Sequence, residues 1–472
     1  MITAVLSPKS EIWRIGEAVA AAGGRPVLVG GWVRDDLLGH PHSKDFDLEV
    51  FGLAPNKLRR VLSDFGPVHA VGKQFGVLKL TTREAEYDVS LPRREVNTGA
   101  GHKGFWVRTD PAMGFEEAAS RRDFTINAMG YAFLEGQFLD PFDGQTDLRA
   151  RLLRHVGPAF GEDPLRVLRA MQFAGRFGLT IHPETIAVCR NLNLAELPRE
   201  RLWGEFQKLL LEAPQPSVGL SYAEPLGILP YFPELERLFA APAPRPEAHT
   251  PWQGTLATVD EAARLKSGNS APDTVLMLGA LCHTLAEFAP PATPPPADPT
   301  GNGPEGNHRA GSGPVEDFLR RLTHESALLQ GVQNLVRELP QPDALHADRG
   351  KHAASAIRRL ALRISIPFLE RLARARHHAA AGGSRGKTDY PAGEWLLDEA
   401  RRLGVLEGPP EPLLKGRHLT ERGYPPGKAM GKILDEAFEL QLDGGIGCLE
   451  EALKWLARTH PAAPARPGEP AR

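Results

Sequence analysis

The sequence feature that most constrains the fold is a pair of glycines set between an apolar strand and a helix. Pro26–Val29 is predicted to be the strand, Gly30 and Gly31 follow it, and a helix is predicted from Val33. Glycine lets backbone N–H groups come close to a phosphate, and the start of a helix favours an anion at the same place. The pattern therefore predicts a phosphate-binding turn in a small α/β domain.

The next strand carries two carboxylates on one face. Asp45 and Asp47 are two residues apart in an apolar run that ends at Val50, so both side chains point to the same side. Paired carboxylates bind hard divalent cations, and paired Mg²⁺ ions are a common device for in-line phosphoryl chemistry. An isolated pair of this kind is more often an acidic surface turn. The glycine pair before it makes the pattern specific, and together they predict a nucleotidyltransferase.

The composition argues against a membrane or secreted protein. The 472 residues suggest about three structural units at roughly 150 residues each. No apolar run approaches the roughly 20 residues of a membrane span, and the N-terminus lacks a signal-peptide pattern. Cys189, Cys282 and Cys448 are scattered, which favours a cytoplasmic location over disulfides. The net charge of −2 means that any contact with nucleic acid must come from local patches, and no sequence feature specifies the oligomeric state.

The pattern of apolar residues changes near residue 150, from short strands and helices to amphipathic helices. In the first part, Ala54–Phe65 is predicted to be a helix, and Phe75–Thr81 and Ala85–Leu91 are predicted to pair as a hairpin. Asp163–Phe177 is predicted to be the first of the later helices. A Pro- and Gly-rich segment at about 289–314 is predicted to be a disordered loop, because it has too little apolar surface to bury.

Four spaced motifs carry a resemblance to a known family. They are the Gly-Gly and Asp-Phe-Asp opening, Arg121–Ala128 (RRDFTINA), Asp140–Gly144 (DPFDG) and Glu162–Ala170 (EDPLRVLRA). Together they closely resemble the class II tRNA nucleotidyltransferase and bacterial poly(A) polymerase family. The resemblance implies an α+β chain, in which a small polymerase β-like α/β head is followed by an elongated all-helical neck, body and tail. The expected boundaries are 1–150 for the nucleotidyltransferase head, 151–215 for a neck with a nucleotide-templating helix, 216–345 for the body and 346–472 for a tRNA-binding tail.

The resemblance also implies roles for individual residues. Asp45 and Asp47 match the metal ligands of the family, for which Mg²⁺ is expected. Asp88 is a candidate third catalytic carboxylate because it interrupts a strand where an apolar residue is expected, and the alternative is an edge-strand charge that faces water. The positions expected to bind the nucleotide are Gly30, Gly31, Arg34, Arg122, Asp123, Asn127, Asp163, Arg166 and Arg169.

One pair of these residues has the chemistry to select a base. Asp163 and Arg166 are three residues apart and are predicted to share a helix face. A carboxylate accepts hydrogen bonds, whereas a guanidinium only donates them. Cytosine and adenine each place an amino donor beside an unprotonated ring nitrogen, and uracil and guanine present the reverse pattern. The pair therefore predicts a protein template that accepts CTP and ATP, and the alternative is an ordinary ion pair on a helix surface.

Two positions depart from the family pattern. Ala118 stands where an acidic residue is usual, and Gln172 stands where an arginine is usual. The first departure is expected to affect how the head orients its catalytic helix. The second removes one expected cation from the triphosphate site.

Beyond residue 215 the chain resembles the HD-type phosphohydrolase domain that is fused to some members of the family. Gly254 stands where that domain has its first histidine, and Thr284 replaces the aspartate that should follow His283. Because glycine offers no donor atom and threonine offers no anionic one, we expect no phosphohydrolase activity there. His283 is expected to be a core or partly buried side chain.

The C-terminal part contains two features that indicate RNA binding. Leu414–Leu419 and Tyr424–Gly427 resemble the part of the family that cradles tRNA. A basic helical stretch is predicted either to bind phosphates or to form a solvated face, and it contains Arg358, Arg359, Arg363, Arg371, Arg374 and Arg376.

The sequence thus predicts template-independent addition of C and A to tRNA 3′ ends, from CTP and ATP with Mg²⁺. The nearest alternatives keep the same chemistry with a narrower product: addition of A only, addition of CC only, or poly(A) tailing. A non-catalytic tRNA-binding scaffold is disfavoured by the intact Asp45–Asp47 pair and the Glu162–Arg166 block.

Overall fold

The structure is a computed structural model that describes residues 6–40, 45–71, 77–97, 105–246, 248–288, 313–350, 352–382 and 389–461. The chain divides into two compact units, of which the first is Met1–Glu205 with Val218–Tyr231. The second is Phe206–Ser217 with Phe232–Arg472. Most of the predicted disordered loop at 289–314 lies outside the described residues.

The first unit is built on a seven-stranded mixed sheet. Its strands are β1 (Arg25–Val29), β2 (Asp45–Phe51), β3 (Val68–Val71), β4 (Val77–Thr81), β5 (Glu86–Ser90), β8 (Gly130–Ala132) and β9 (Gln137–Leu139), in the order β3-β4-β5-β2-β1-β8-β9. Strands β6 (Arg93–Asn97) and β7 (Phe105–Thr109) form a separate pair, as do β10 (Leu152–Leu153) and β11 (Thr180–Ile181). Strands β4 and β5 are antiparallel neighbours, which confirms the predicted hairpin for the described residues, whereas β2 and β5 are parallel.

Helices accompany the sheet of the first unit and make up the regular structure of the second unit as far as Thr459. Up to residue 220 they are α1 (Glu11–Ala21), α2 (Gly31–Leu37), α3 (Pro55–Ser63), α4 (Phe115–Ala119), α5 (Gly144–Arg149), α6 (Leu165–Phe177), α7 (Pro183–Arg190), α8 (Arg199–Glu212) and α9 (Pro216–Leu220). The later ones are α10 (Pro233–Ala240), α11 (Pro251–Arg264), α12 (Ser270–Cys282), α13 (Pro314–Leu322), α14 (Ser326–Glu338), α15 (Gln341–Ala347), α16 (Ala353–Arg363), α17 (Ile366–Ala380), α18 (Pro391–Arg402), α19 (Gly416–Thr420), α20 (Lys428–Leu442) and α21 (Leu449–Thr459). Among the described residues, no helix is long and apolar enough to cross a membrane.

The glycine turn has the predicted position, but its helix begins earlier than predicted. Gly30 follows β1 with a φ of 70°, a left-handed conformation that favours glycine. Its carbonyl already accepts a hydrogen bond from the Arg34 N–H, so α2 begins at Gly31 rather than at Val33. Strand β1 is buried from Pro26 to Val29, which anchors the turn in the core.

The predicted helix over Asp163–Phe177 is wrong at its start. Helix α6 begins at Leu165, and Asp163 is extended, with a φ of −126° and a ψ of 102°. The cause is Pro164, because a proline disfavours the helical conformation in the residue before it. Asp163 instead accepts a hydrogen bond from the Leu165 N–H at 3.1 Å. The argument that Asp163 and Arg166 share a helix face therefore does not hold.

Candidate active site

A cavity of about 410 Å³ opens over the centre of the seven-stranded sheet. Acidic and basic side chains both line it: Asp47, Glu49, Asp88, Glu162, Arg93, Arg121, Arg122 and Arg166. Its apolar wall contains Val29, Val77, Leu91 and Ala118. A cavity that holds carboxylates next to guanidinium groups suits a ligand that carries phosphates together with a metal cation.

The structure brings two of the predicted catalytic carboxylates together. Asp47 on β2 and Asp88 on β5 are direct partners in the parallel register. Neighbouring strands lie about 4.8 Å apart and paired residues point to one face, so one cation can reach both side chains. Strand β5 lies inside the sheet, between β4 and β2, so Asp88 is not on an edge strand, but its side chain is exposed to water, as that alternative expected. Asp45 is the register partner of Glu86 in the same strand pair, and its side chain lies outside the described residues.

Arg122 lies beside these carboxylates in a fixed position. Its guanidinium donates to Glu49 Oε2 at 3.0 Å and to the Asn127 carbonyl at 3.1 Å. A Cβ atom added to Gly30 would lie 3.2 Å from Arg122 Nη1 and 3.5 Å from Asp47 Oδ2. Because Gly30 has no side chain, Arg122 and Asp47 can both lie close to the turn.

Four other predicted nucleotide-binding residues form a hydrogen-bonded network and do not line the cavity; three of them are buried and Arg169 is half-buried. Asn127 Oδ1 accepts from Arg34 Nη1 at 2.7 Å, and its amide donates to Asp123 Oδ1 at 3.0 Å. Asp123 Oδ2 in turn accepts from Arg169 Nε at 2.7 Å. Arg34 is only 4% exposed, and its guanidinium stacks on Phe177, 4.3 Å from the ring centre. We call Arg34, Asp123, Asn127 and Arg169 the Asp123 network.

Burial affects the pKa values of Arg34 and Asp123 in the Asp123 network. Burial lowers the pKa of Arg34, and the neighbouring Asp35 only partly offsets that effect. For Asp123, burial opposes the charged form, but Arg169 and hydrogen bonds from Asn127 and Phe124 outweigh it, so the pKa falls below its ordinary value. Asp123 is therefore a buried, ionised anchor between the head and α6.

The two residues of the predicted template are occupied by other partners. Asp163 Oδ2 accepts from Arg201 at 2.7 Å. Arg166 donates to the carbonyls of Ala159 and Arg121, the latter at 2.7 Å. Arg166 and its neighbour Glu162 line the cavity, whereas Asp163 does not.

Sequence reasoning missed several cavity residues that had a readable signal. Glu49 continues the two-residue spacing of Asp45 and Asp47, so the strand pattern places it on the same face. Arg121 and Glu162 are the first residues of the RRDFTINA and EDPLRVLRA motifs, and each directly precedes a predicted nucleotide-binding residue.

Two family models match consecutive parts of the chain. The "Poly A polymerase head domain" matches residues 27–154, and the "Probable RNA and SrmB- binding site of polymerase A" matches residues 178–239. The multifunctional CCA protein of Methylococcus capsulatus is 35% identical over 406 residues, which cover 81% of this chain and 87% of that relative. The chain belongs to the class II tRNA nucleotidyltransferase and poly(A) polymerase family.

Further relatives extend this result. The multifunctional CCA protein of Nitrosococcus oceani is 41% identical over 273 residues, and the match spans 56% of this chain and 63% of that relative's length. The CCA-adding enzyme of Bacillus stearothermophilus in complex with CTP has a similar structure, with a TM-score of 0.64 at 22% identity over 95% of this chain and 96% of that one. The Thermotoga maritima CCA-adding enzyme complexed with tRNA gives a TM-score of 0.57 at 18% identity, over 94% of each chain. These similarities confirm the predicted fold class, a polymerase-type head with a helical C-terminal region.

The head fold of this family implies the use of a divalent metal, and the residues present fit one. Asp47 and Asp88 offer hard oxygen donors from neighbouring strands, which suit a divalent cation bound through oxygen. Arg93, Arg121, Arg122 and Arg166 also line the cavity, and guanidinium groups suit the phosphates of a nucleotide.

The two departures from the family pattern have different surroundings. Ala118 on α4 lines the cavity and packs in an apolar cluster with Val27 and Val29, where a carboxylate would be costly to bury. Gln172 on α6 is 1% exposed, and within the described ranges its Nε2 has no hydrogen-bond partner.

The second unit has a cavity of about 620 Å³ at the positions that resemble an HD domain. Gly254, His283 and Thr284 all line it. Thr284 Oγ1 forms a 2.9 Å hydrogen bond with Thr255 Oγ1. Burial lowers the pKa of His283 to about 4, so its imidazole is neutral, and its Nδ1 donates to the Ala280 carbonyl at 2.8 Å. The histidine is partly buried, as the sequence predicts.

The basic stretch of α16 and α17 forms bonds within the second unit, and several of its arginines are also partly exposed, such as Arg363 at 43%. Both alternatives, a phosphate-binding surface and a solvated face, stay predictions. Five of its arginines have an acidic or carbonyl partner: Arg358 with the Leu442 carbonyl, Arg359 with Asp443 and Glu439, Arg363 with Glu338, Arg374 with Glu370, and Arg376 with Asp343. A carboxylate beside an arginine offsets part of its positive potential, so the pair attracts an RNA phosphate less strongly than an unpaired arginine does.

Proposed function

We propose that this protein is a CCA tRNA nucleotidyltransferase, which adds C and A to tRNA 3′ ends from CTP and ATP without a nucleic-acid template. The observation that carries the proposal is the pairing of Asp47 with Asp88 in a cavity that Arg121, Arg122 and Arg166 also line. Membership of the family supports it, as do the names of the relatives at 35% and 41% identity.

In the proposed reaction the 3′ hydroxyl of the tRNA attacks the α-phosphate of the nucleotide, and pyrophosphate leaves. Asp45, Asp47 and Asp88 would hold Mg²⁺, which supplies stabilisation of the attacking and leaving oxygens when it is bound. Arg122 is held with its guanidinium facing the cavity, where it neutralises charge on the triphosphate or binds the ribose.

Base selection is proposed for Asp163 and Arg166. Arg166 already borders the cavity, whereas Asp163 does not line it and is bonded to Arg201. Each carboxylate oxygen can accept more than one hydrogen bond, so Asp163 can keep Arg201 and also accept the amino group of cytosine or adenine once it faces the base.

The other predicted nucleotide-binding residues are proposed to act in two ways. Gly30 and Gly31 shape the turn beneath the triphosphate, and the Asp123 network fixes α6 against the head. The helical tail from residue 346 is proposed to bind tRNA. Since Cys189, Cys282 and Cys448 are free thiols, which suits a reducing compartment, we propose a cytoplasmic location.

Addition of A only, addition of CC only and poly(A) tailing remain alternative products of the same site. The test uses the full-length protein with Mg²⁺, three tRNA transcripts that end before the CCA, after CC and after CCA, and each labelled nucleotide. We expect two C residues and one A on the first transcript, one A on the second and nothing on the third. Addition of A alone to every transcript would indicate a tailing enzyme, and no addition to any of them would overturn the proposal.

A further inference from the structure

A buried carboxylate in the cavity has no part in the reaction as proposed so far. Glu49 is 8% exposed, lines the cavity and lies on β2 two residues after Asp47. Its register partners are Val27 on β1, which is fully buried, and Ser90 on β5. A carboxylate in such surroundings is costly unless a charged partner and hydrogen bonds stabilise it.

Arg122 forms an ion pair with Glu49. Arg122 Nη2 lies 3.0 Å from Glu49 Oε2, and the two side chains are 22% and 10% exposed. The second contact of the guanidinium, to the Asn127 carbonyl, uses Nη1. These two bonds fix the plane of the guanidinium and leave its other N–H groups for a ligand in the cavity.

We propose that Glu49 is a positioning residue that holds Arg122 in the orientation in which it binds the nucleotide. An arginine side chain that is not held has many rotamers, and ordering it on binding costs affinity for the ligand. Because Glu49 already orders the Arg122 side chain in the folded protein, nucleotide binding does not have to order it. It also keeps the guanidinium at a fixed place beside Asp47, since both groups lie within 3.5 Å of one point above Gly30.

This inference rests on the proposed function, and its test separates the two. Initial rates of C and A addition are measured for the wild type, Glu49→Ala, Glu49→Gln, Arg122→Ala and the double variant Glu49→Ala/Arg122→Ala. We expect Glu49→Ala to raise the KM for the nucleotide about tenfold while kcat changes less than about threefold. Glu49→Gln keeps an oxygen acceptor for Arg122 without the charge, so a rise of about threefold is expected.

The double variant is the decisive comparison. If Glu49 acts through Arg122, removing Glu49 from the Arg122→Ala protein raises the KM by less than about twofold. A full additional tenfold rise would overturn the inference, because Glu49 would then act by another route. Glu135→Ala is the matched control, since Glu135 is an exposed carboxylate of the same unit that does not line the cavity and pairs with Arg25 at 2.6 Å. It should leave the KM within about twofold of the wild type.

Two further readouts exclude other roles for Glu49. A metal ligand would raise the Mg²⁺ concentration for half-maximal rate many-fold in Glu49→Gln, and a purely structural residue would lower kcat and the melting temperature with an unchanged KM. Either result overturns the inference. An inactive wild type would refute the proposed function itself, whereas an active wild type with an unchanged KM in Glu49→Ala would refute the positioning role alone.

Discussion

The Asp123 network predicts a specific loss of stability in the first unit. In Asp123→Asn the side chain keeps an oxygen for the Phe124 N–H and the Asn127 amide, which it accepts at 2.8 and 3.0 Å. It loses the ion pair with Arg169 at 2.7 Å, in which the Asp123 side chain is 9% exposed. Removing one partner of a buried pair costs about 3–5 kcal/mol. Arg169 is 30% exposed and keeps Glu205 at 3.7 Å, so we expect about 2–3 kcal/mol.

Hydrogen–deuterium exchange read by mass spectrometry measures this loss locally. The free energy of opening of peptides from α6 should fall by about 2–3 kcal/mol in Asp123→Asn, while peptides from the second unit should not change. Glu224→Gln is the control, since Glu224 forms an exposed pair with Arg190 at 2.8 Å and its loss should cost less than about 1 kcal/mol. Equal effects of the two substitutions on α6 would show that Asp123 is not a buried anchor.

Three further substitutions test other parts of the structure. Gly144→Ala places a Cβ atom against the Thr125 carbonyl oxygen, so we expect a lower melting temperature in a calorimetric scan. Gly114 has open space around it, so Gly114→Ala should change the melting temperature little. The pKa of His283 is about 4 in the folded protein and about 6.5 when unfolded, so its contribution to stability is present above pH 6.5 and lost as the pH falls towards 4. In urea titrations, wild type should therefore lose about 2 kcal/mol more than His283→Gln between pH 7 and pH 5. Arg166→Ala should let UTP and GTP compete with CTP and ATP in a four-nucleotide incorporation assay, and continued exclusion of both would contradict the template.

The head could be predicted from the sequence because its signals are local. The glycine turn needs only the residues around Gly30, and the two-residue spacing of Asp45 and Asp47 defines a strand face by itself. The register that sets Asp88 beside Asp47 joins strands that are far apart in the chain, so the sequence could offer Asp88 only as a candidate. Its place next to Asp47 agrees with that candidate role, which stays a prediction.

The parts that could not be predicted depend on contacts between distant residues. Arg34 stands in the phosphate-binding motif, but its stacking on Phe177 brings together residues from α2 and α6. The sequence of α16 taken alone indicated a basic surface. Its acidic partners Glu338 and Asp443 lie on segments before and after it, so the ion pairs are not visible in the local sequence. The wrong start predicted for α6 has a local cause that the sequence contains. Pro164 disfavours the helical conformation at Asp163, the residue before it.

The central claim is that carboxylates of the sheet carry out nucleotidyl transfer, and one measurement tests it most directly. Single-turnover addition of C to a tRNA transcript is compared among the wild type, Asp47→Asn, Asp88→Asn and Asp64→Asn, an exposed aspartate just after α3. We expect Asp47→Asn and Asp88→Asn to lose about a thousandfold or more in rate, with tRNA affinity by filter binding unchanged and Asp64→Asn fully active. A rate within tenfold of the wild type for both Asp47→Asn and Asp88→Asn would contradict the account.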